Sequence, residues 1–171
     1  PDVIGIINKQ SAYDINLQPI DFSSILLSLS NEEKLFIKPT DGAGGTGIVV
    51  IKKQDNKIYH NNNEIHPHNL PALFNQKSVY VIQKGIVQRE DINQINASSV
   101  NTLRIITQWR EQNPVMSVCV MRIGRNGKDL DNSHQGGLSI PVNVENGSFG
   151  NFATAEHGGG QYFQHPDSGF I

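Results

Sequence analysis

Residues 36–51 read FIKPTDGAGGTGIVVI, and no other stretch of the chain restricts the possible folds as strongly. Residues 34–38 and 47–53 have the apolar, β-branched character of strands, and a glycine-rich turn joins them. Lys38 ends the first strand beside Pro39, which has no amide hydrogen to pair with a sheet neighbour. A strand-terminal lysine followed by a turn rich in backbone amides suits an anion, so the arrangement predicts a polyphosphate site.

The glycine turn fits a pattern that several nucleotide-binding folds share, because Gly42, Gly44 and Gly47 match G-x-G-x-x-G. A dinucleotide-binding turn leads into a helix, whereas residues 48–51 are β-branched and read as a strand. A P-loop ends in Gly-Lys-Ser/Thr, which this turn lacks. A protein kinase would need His-Arg-Asp and Asp-Phe-Gly elements, and neither occurs in the sequence. A glycine-rich hairpin without a ligand remains the alternative.

Composition limits the classes of protein that this chain can represent. Its 171 residues, 37% of them hydrophobic, suffice for one globular domain with two lobes. The net charge of −2 lacks the basic excess of a nucleic-acid-binding surface, so no nucleic-acid partner is expected. No apolar run approaches the roughly 20 residues of a membrane span and no leader segment is recognisable, so a cytoplasmic protein is expected.

Two smaller features complete this picture. The single cysteine, Cys119, lies in an apolar run and is expected to be a small buried hydrophobe rather than part of a disulfide or thiolate metal site. The start at Pro1 and the apolar end at Ile171 suggest a domain cut from a longer chain.

The pattern of elements is that of an α+β protein. Apolar side chains at helical spacing predict a helix over residues 21–29, with Asp21 as its N-cap. Mostly antiparallel strands with few helices are expected elsewhere. The other predicted elements are strands at 79–83, 100–109, 115–122 and 137–144, a hairpin through 57–59, a hairpin turn at 146–147, and short helices at 70–75 and at 91–95, the last capped by Asp91.

Two later segments offer further partners for a nucleotide. The strand 79–83 runs into a flexible point at residues 84–86, whose backbone groups can read the edge of a purine. In the sequence NTLR, residues 101–104, strand alternation puts Thr102 and Arg104 on one face. An arginine in so apolar a strand needs a partner, and either an anionic ligand or a structural ion pair would serve.

These segments occur in an order that resembles an ATP-grasp domain. More narrowly, the set is similar to the sugar-transfer-associated ATP-grasp group, which is related to the α-L-glutamate ligase-like proteins. The likeness covers residues 1–169. The matching segments are FIKP at 36–39 with its glycine loop, VIQ at 81–83 with Ile86, NTLR at 101–104 and DNSHQGG at 131–137.

The resemblance implies an α+β ATP-grasp fold, in which two lobes with antiparallel sheets grip a nucleotide. The nucleotide-binding region would span residues 1–171, with a glycine-loop lobe at about 1–85 and a second lobe at 86–171. The second lobe would end before the segment that carries the metal ligands of the family, so an incomplete domain is expected.

The resemblance also assigns residues to the nucleotide. Lys38 would contact the α- and β-phosphates, and the backbone amides of the glycine loop would cover the β- and γ-phosphates. Many relatives have a glutamate after the glutamine of the adenine-binding segment, where this chain has Lys84. The implied loop residues are Gly42, Ala43, Gly44, Gly45, Thr46 and Gly47; Gln83, Lys84, Gly85 and Ile86 would hold adenine; Thr102 would lie near the ribose and Asn132 near the triphosphate.

Catalysis and substrate binding are assigned in the same way. Arg104 and Arg122 are implied as catalytic residues, which would offset the charge that develops on the transferring phosphoryl group. The implied substrate-binding residues are Asn101, His134, Gly136 and Gly137.

Magnesium has no assigned ligand in this sequence. The metal ligands of the family are acidic residues and an asparagine in a final Asp…Glu-x-Asn segment, and no part of the chain matches it. ATP is nevertheless expected to bind together with Mg²⁺, which bridges its phosphates.

The implied activity is that of an ATP-dependent ligase of the carboxylate–amine type. A small-molecule carboxylate would be activated as an acyl phosphate and attacked by an amine or a sugar-linked substrate, in polysaccharide or envelope biosynthesis. These 171 residues by themselves are expected to be inactive. Two alternatives stay open: an ATP-grasp binding or scaffold module without ligase activity, and a kinase-like phosphotransferase. The sequence does not indicate the oligomeric state.

Overall fold

The computed structural model describes residues 2–31, 33–156 and 159–170. The chain divides into two compact units, Pro1–Ile86 and Val87–Ile171. Within the described ranges, every helix is too short or too polar to cross a bilayer.

The first unit is built on one antiparallel sheet. Its described part contains eight strands in the order β3-β2-β1-β8-β4-β5-β6-β7, with each neighbouring pair antiparallel. The elements are β1 Val3–Asn8, β2 Ser11–Tyr13, β3 Pro19–Ile20, α1 Phe22–Ser28, β4 Lys34–Pro39, β5 Val49–Gln54, β6 Lys57–His60, β7 Asn63–Glu64, the 3₁₀ helix Pro67–Leu73 and β8 Val79–Lys84.

One face of this sheet forms the core of the first unit. Leu35 and Ile37 alternate along β4 on that face and are 0% exposed. Leu26 of α1 and Leu70 of the 3₁₀ helix belong to the same buried cluster. Full burial of each such side chain stabilises the fold by about 1.5–3 kcal/mol. This face of β4 is therefore fixed towards the core, and the opposite face is left for other contacts.

Helix α1 is fixed at both ends by side chains. At its start, Asp21 accepts a hydrogen bond from the Ser23 amide at 3.0 Å, which confirms the predicted N-cap. At its end, the ammonium of Lys53 donates to the carbonyls of Leu27 at 3.2 Å and Leu29 at 2.7 Å. A cation there satisfies carbonyls that the helix leaves unpaired.

The second unit contains a separate antiparallel sheet. Its described part has five strands in the order β13-β12-β11-β10-β9. The elements are α2 Glu90–Asn93, β9 Thr102–Arg110, β10 Asn113–Ile123, the 3₁₀ helix Ser133–Gln135, β11 Leu138–Val142, β12 Ala153–Ala155 and β13 Gln161–Tyr162. Together, two antiparallel sheets and few helices confirm the α+β class.

Strands β9 and β10 form a long hairpin. Its two-residue tip, Glu111 and Gln112, has φ values of 47° and 67°, as tight hairpin turns require. Near β11 the hairpin contributes Met121 to the core, and Cys119 is buried, which confirms the expected role of the lone cysteine. Towards the tip its apolar side chains are exposed, and Trp109 is 77% accessible.

The segment 161–170 is tied to earlier parts of the second unit through polar contacts. The His165 ring is buried, with its Nε2–H donating to a backbone carbonyl and its Nδ1 accepting from the amides of Asp167 and Ser168. The links to other segments are His165 Nε2 to the Gly124 oxygen at 2.8 Å, the Asn126 amide to the Asp167 carboxylate, and the Ser168 hydroxyl to the Ile95 oxygen at 2.7 Å.

Two predicted helices have different bounds in the structure. The helix expected at 70–75 is the 3₁₀ helix Pro67–Leu73, which starts at a proline and contains a second one, Pro71. The helix expected at 91–95 is α2, which starts after Arg89. Asp91 is therefore not its N-cap; its carboxylate instead binds the Arg89 guanidinium at 2.9 Å.

Candidate functional site

The outer face of the first sheet carries the residues predicted to meet a nucleotide. Phe36 and Lys38 alternate with the core residues of β4, and they pair with Gln83 and Val81 of β8. All four are half-buried. The Lys38 ammonium lies 5.8 Å from the centre of the Phe36 ring, within cation–π range. These four residues thus combine apolar side chains with one amide and one cation.

The glycine loop, residues 42–47, follows directly after β4 and contains three glycines in left-handed backbone conformations. Gly44, Gly45 and Gly47 have φ values of 62°, 82° and 74°, which L-residues rarely adopt. Inside the loop the Thr46 amide donates to the Ala43 carbonyl at 3.1 Å. Among the backbone bonds of the described residues, the amides of Ala43, Gly44, Gly45 and Gly47 are not donors.

Within residues 83–86, which were predicted to bind adenine, two backbone amides already have acceptors in the structure. The Lys84 amide donates to the Asp2 carbonyl at 3.0 Å, and the Gly85 amide to the Lys34 carbonyl at 2.7 Å. Both donors are therefore already used. A Cβ at Gly85 would lie 3.0 Å from the Lys34 oxygen, so the close approach favours glycine there. The backbone amide of Ile86 donates to no backbone carbonyl of the described residues.

In the second unit, three side chains from different elements meet in the Thr102–Arg122–Asp131 cluster. Thr102 and Arg122 are directly opposed on β9 and β10. Arg122 donates to the Thr102 hydroxyl from Nε at 3.2 Å and from Nη2 at 3.1 Å, and it also contacts Asp131 Oδ1 from Nη2 at 3.2 Å. The Thr102 hydroxyl donates to Asp131 Oδ2. The Arg122 and Asp131 side chains are 23% and 9% exposed.

Arg104 differs from Arg122, although both were predicted to be catalytic. Arg104 is opposed to Val120 and therefore lies on the same face as Thr102, as strand alternation predicted. Its side chain is exposed, and within the described residues it has no ion-pair partner. Of these two arginines, only Arg122 has a carboxylate partner within the described residues.

Asn101 is held in a network at the base of β9. Its amide NH₂ donates to the Asn96 carbonyl at 3.0 Å, and its backbone amide donates to Gln88 Oε1 at 2.6 Å. Gln88 in turn donates to Asn93 Oδ1 at 3.0 Å. The Asn101 Oδ1 atom is buried and has no hydrogen-bond partner within the described residues.

The predicted substrate loop, residues 131–137, is a closed turn. The Asn132 carbonyl accepts from Gln135 at 2.9 Å and from Gly137 at 3.1 Å, whereas no hydrogen bond of the Asn132 side chain is resolved among the described residues. Gly136 has a φ of 92°, and its carbonyl accepts from Arg125. A Cβ at Gly137 would clash with the Asp131 carbonyl, so glycine is required. His134 Nδ1 lies 3.2 Å from the Glu156 carboxylate.

Sequence reasoning missed two residues that the structure places in these networks. Asp131 lies within a predicted segment, DNSHQGG, but its contact with Arg122 depends on where the loop returns to the sheet. Gln88 follows the adenine-binding segment, and its side chain makes long-range contacts that no local pattern indicates.

The comparisons with known proteins agree with the ordered segments. The family model described as Sugar-transfer associated ATP-grasp matches residues 1–171. Searches of curated proteins and of solved structures found no match. Because the family model covers the whole sequence, and because the two antiparallel sheets have the α+β character of that fold, the family assignment rests on more than one motif. The chain belongs to the sugar-transfer associated ATP-grasp family and has the ATP-grasp fold.

Proposed function

We propose that this chain binds ATP and belongs to an ATP-dependent ligase of the carboxylate–amine type. The glycine loop carries the proposal: four of its amides donate to no backbone carbonyl among the described residues, and they follow a lysine at the end of β4. Backbone N–H groups and a lysine ammonium are the donors that a polyphosphate needs. Membership of an ATP-grasp family supports the same ligand.

The proposed reaction uses the residues of each unit for a different task. ATP would supply the phosphoryl group that turns a carboxylate into an acyl phosphate, from which an amine then displaces phosphate to form an amide. Lys38 and the loop amides would donate to the phosphates. Donors that are in place before the reaction stabilise the charge that develops on the phosphates in the transition state. Arg122 and the exposed Arg104 would hold anionic oxygens of the phosphate or carboxylate. Ile86 would contribute its amide to adenine.

Thr102 and the loop 131–137 complete the proposed set of ligand contacts. Thr102 would lie near the ribose, and Asn132 near the triphosphate. Asn101 would lie near the substrate. His134, Gly136 and Gly137 stay assigned to the substrate.

Magnesium does not fit the described residues as a resident ion. They contain no group of three or more His, Cys, Asp or Glu side chains arranged to hold a metal. Asp131 already accepts from Thr102 and Arg122. We therefore assign no step to a metal in this chain and propose that Mg²⁺ arrives bound to the nucleotide.

The family description supports the proposed substrate class. Association with sugar transfer supports an amine or sugar-linked acceptor and a small-molecule carboxylate, used in polysaccharide or envelope biosynthesis in the cytoplasm. No residue of the described part restricts the acceptor further.

Nucleotide binding is tested first, by calorimetry with MgATP. Replacing both Gly44 and Gly45 by alanine strains two left-handed positions of the loop and should weaken binding by about tenfold or more. Gly147→Ala is the matched control, because Gly147 has a φ of 76° in a turn of the second unit and no atom within 4 Å of its added Cβ. Equal binding by the loop variant and the parent, or no binding by the parent, would refute the proposal.

Products then separate the ligase from the alternatives. The chain is incubated with MgATP and panels of carboxylates and amines, including amino sugars. An amide together with ADP and phosphate supports a ligase. A phosphorylated acceptor indicates a kinase-like phosphotransferase. Because these 171 residues are expected to be inactive by themselves, ATP binding without ADP formation indicates a binding or scaffold module only when the full-length protein also forms no ADP across the panel.

A further inference from the structure

We propose that Asp131 is a positioning residue, which fixes Arg122 and Thr102 so that the free end of the Arg122 guanidinium binds a phosphate of ATP. The inference rests on the proposed function and adds a residue that neither the sequence pattern nor the family match assigns.

The contacts within the cluster divide the Arg122 guanidinium into a used edge and a free end. Nε and Nη2 donate to the Thr102 hydroxyl, and Nη2 also contacts both oxygens of Asp131, at 3.2 and 3.4 Å. Nη1 makes no hydrogen bond to any described residue. Because a guanidinium is planar and rigid, fixing one edge also fixes the direction of Nη1.

Asp131 is suited to this task because it is itself held in place. Its side chain is 9% exposed, so its charge is poorly hydrated and depends on its two donors. The backbone behind it is constrained by Gly137, where only a missing side chain avoids the Asp131 carbonyl. The Asp131 carboxylate is therefore held in one place, and Arg122 would lose its contacts with that carboxylate in another rotamer.

Thr102 links the two charged groups. Its hydroxyl donates to Asp131 and accepts from Arg122, which uses both of its hydrogen-bonding functions. It also stands directly opposite Arg122 in the ladder, so the pairing of β9 with β10 sets the distance. A side chain without a hydroxyl at this position would leave Nε without an acceptor.

The sign of the effect of Asp131→Asn distinguishes positioning from simple electrostatics. If Asp131 only added negative charge near a phosphate, its neutralisation would strengthen MgATP binding. If it positions Arg122, neutralisation loosens the guanidinium and weakens binding. We expect a roughly tenfold loss of MgATP affinity, the range of one hydrogen bond to a charged group.

The experiment measures MgATP affinity for four proteins by calorimetry: the parent, Asp131→Asn, Arg122→Ala and the double variant. The expected result is that Asp131→Asn weakens binding in the parent background and has no effect once Arg122 is alanine. Asp91→Asn is the matched control, because it breaks an ion pair of the same unit in which both side chains are exposed, by 57% for Asp91 and 83% for Arg89.

A spectroscopic readout follows the positioning itself. In the parent, the Arg122 Nε–H signal of a proton–nitrogen correlation spectrum should be protected from solvent exchange, and Asp131→Asn should remove that protection. If Asp131→Asn does not fold, Asp131→Glu answers the same question, since it keeps the charge but moves the carboxylate by one methylene: a positioning role predicts weaker MgATP binding and lost Nε–H protection, and unchanged values of both would overturn it.

The outcomes separate this inference from the proposed function. Unchanged or tighter MgATP binding by Asp131→Asn, in a chain whose parent binds MgATP, overturns the positioning role alone. A similar loss in the Arg122→Ala background also overturns it, because the effect would then not pass through Arg122. A parent that binds no MgATP refutes the proposed function, and the positioning role with it.

Discussion

Replacement of Lys38 by methionine isolates the charge that the proposed phosphate site needs. Methionine keeps the length and apolar character of the side chain, so its packing on the half-buried outer face of β4 is preserved. What is lost in the folded chain is the cation–π contact with Phe36 at 5.8 Å. We therefore expect the free energy of unfolding to fall by only about 0.5–1 kcal/mol.

The effect on nucleotide binding should be larger. A hydrogen bond from an ammonium to a phosphate contributes about 1.5–3 kcal/mol, which corresponds to a loss of about 10- to 150-fold in MgATP affinity. Calorimetric titration gives the affinity, and urea denaturation of the same samples gives the stability. The measured loss of affinity should shrink at high salt, because screening already weakens the parent's interaction.

Lys57→Met is the control for this measurement. Lys57 is an exposed lysine of the same unit, and its ammonium pairs with Glu64 at 2.7 Å on neighbouring strands. It should bind MgATP like the parent. Equal affinity of Lys38→Met and the parent would refute the phosphate role of Lys38, and equal losses in both variants would show that only net charge matters.

Three further predictions concern stability and ionisation. Lys53→Met removes two hydrogen bonds from the end of α1 and should lower the free energy of unfolding by about 1–3 kcal/mol in urea denaturation; an unchanged midpoint would contradict the capping role. His165→Leu leaves the Gly124 carbonyl without its donor and should cost about 1–3 kcal/mol, with early hydrogen exchange in residues 161–170. The pKa of Lys57 is raised above 10.5 by its hydrogen bond to Glu64 and by that residue's charge, so Glu64→Gln should lower it in an NMR titration. Because the pKa is raised in the folded chain, any contribution of this pair to stability is fully present below the ordinary lysine pKa. It is lost as the pH rises through the raised pKa of the folded chain.

Local patterns predicted the elements well where neighbours in sequence decide the outcome. Helix α1 behind Asp21 and the two strands around the glycine loop depend on side-chain spacing, a cap and glycine conformations, and all three can be read from a few residues. The shared face of Thr102 and Arg104 follows from strand alternation in the same way.

Contacts between distant segments could not be predicted in this way. Arg122 meets Thr102 because the pairing of β9 and β10 shifts by one residue between Met116 and Val118, which no local signal fixes. The amides of Lys84 and Gly85 donate to the carbonyls of Asp2 and Lys34, which lie far away in sequence. For these reasons the sequence could suggest candidate site residues but could not indicate which of their donors are already used within the fold.

The contacts of segment 161–170 also have a consequence for how the second unit reaches its folded state. The Ser168 hydroxyl bonds to Ile95, which lies 73 residues earlier, and His165 bonds to Gly124, which lies 41 residues earlier. Contacts of such long separation require a large loop to close before they form, and loop closure slows folding. A nascent chain can therefore assemble β9 and β10 as a local hairpin on the ribosome, but it can complete this unit only after residue 168 has emerged.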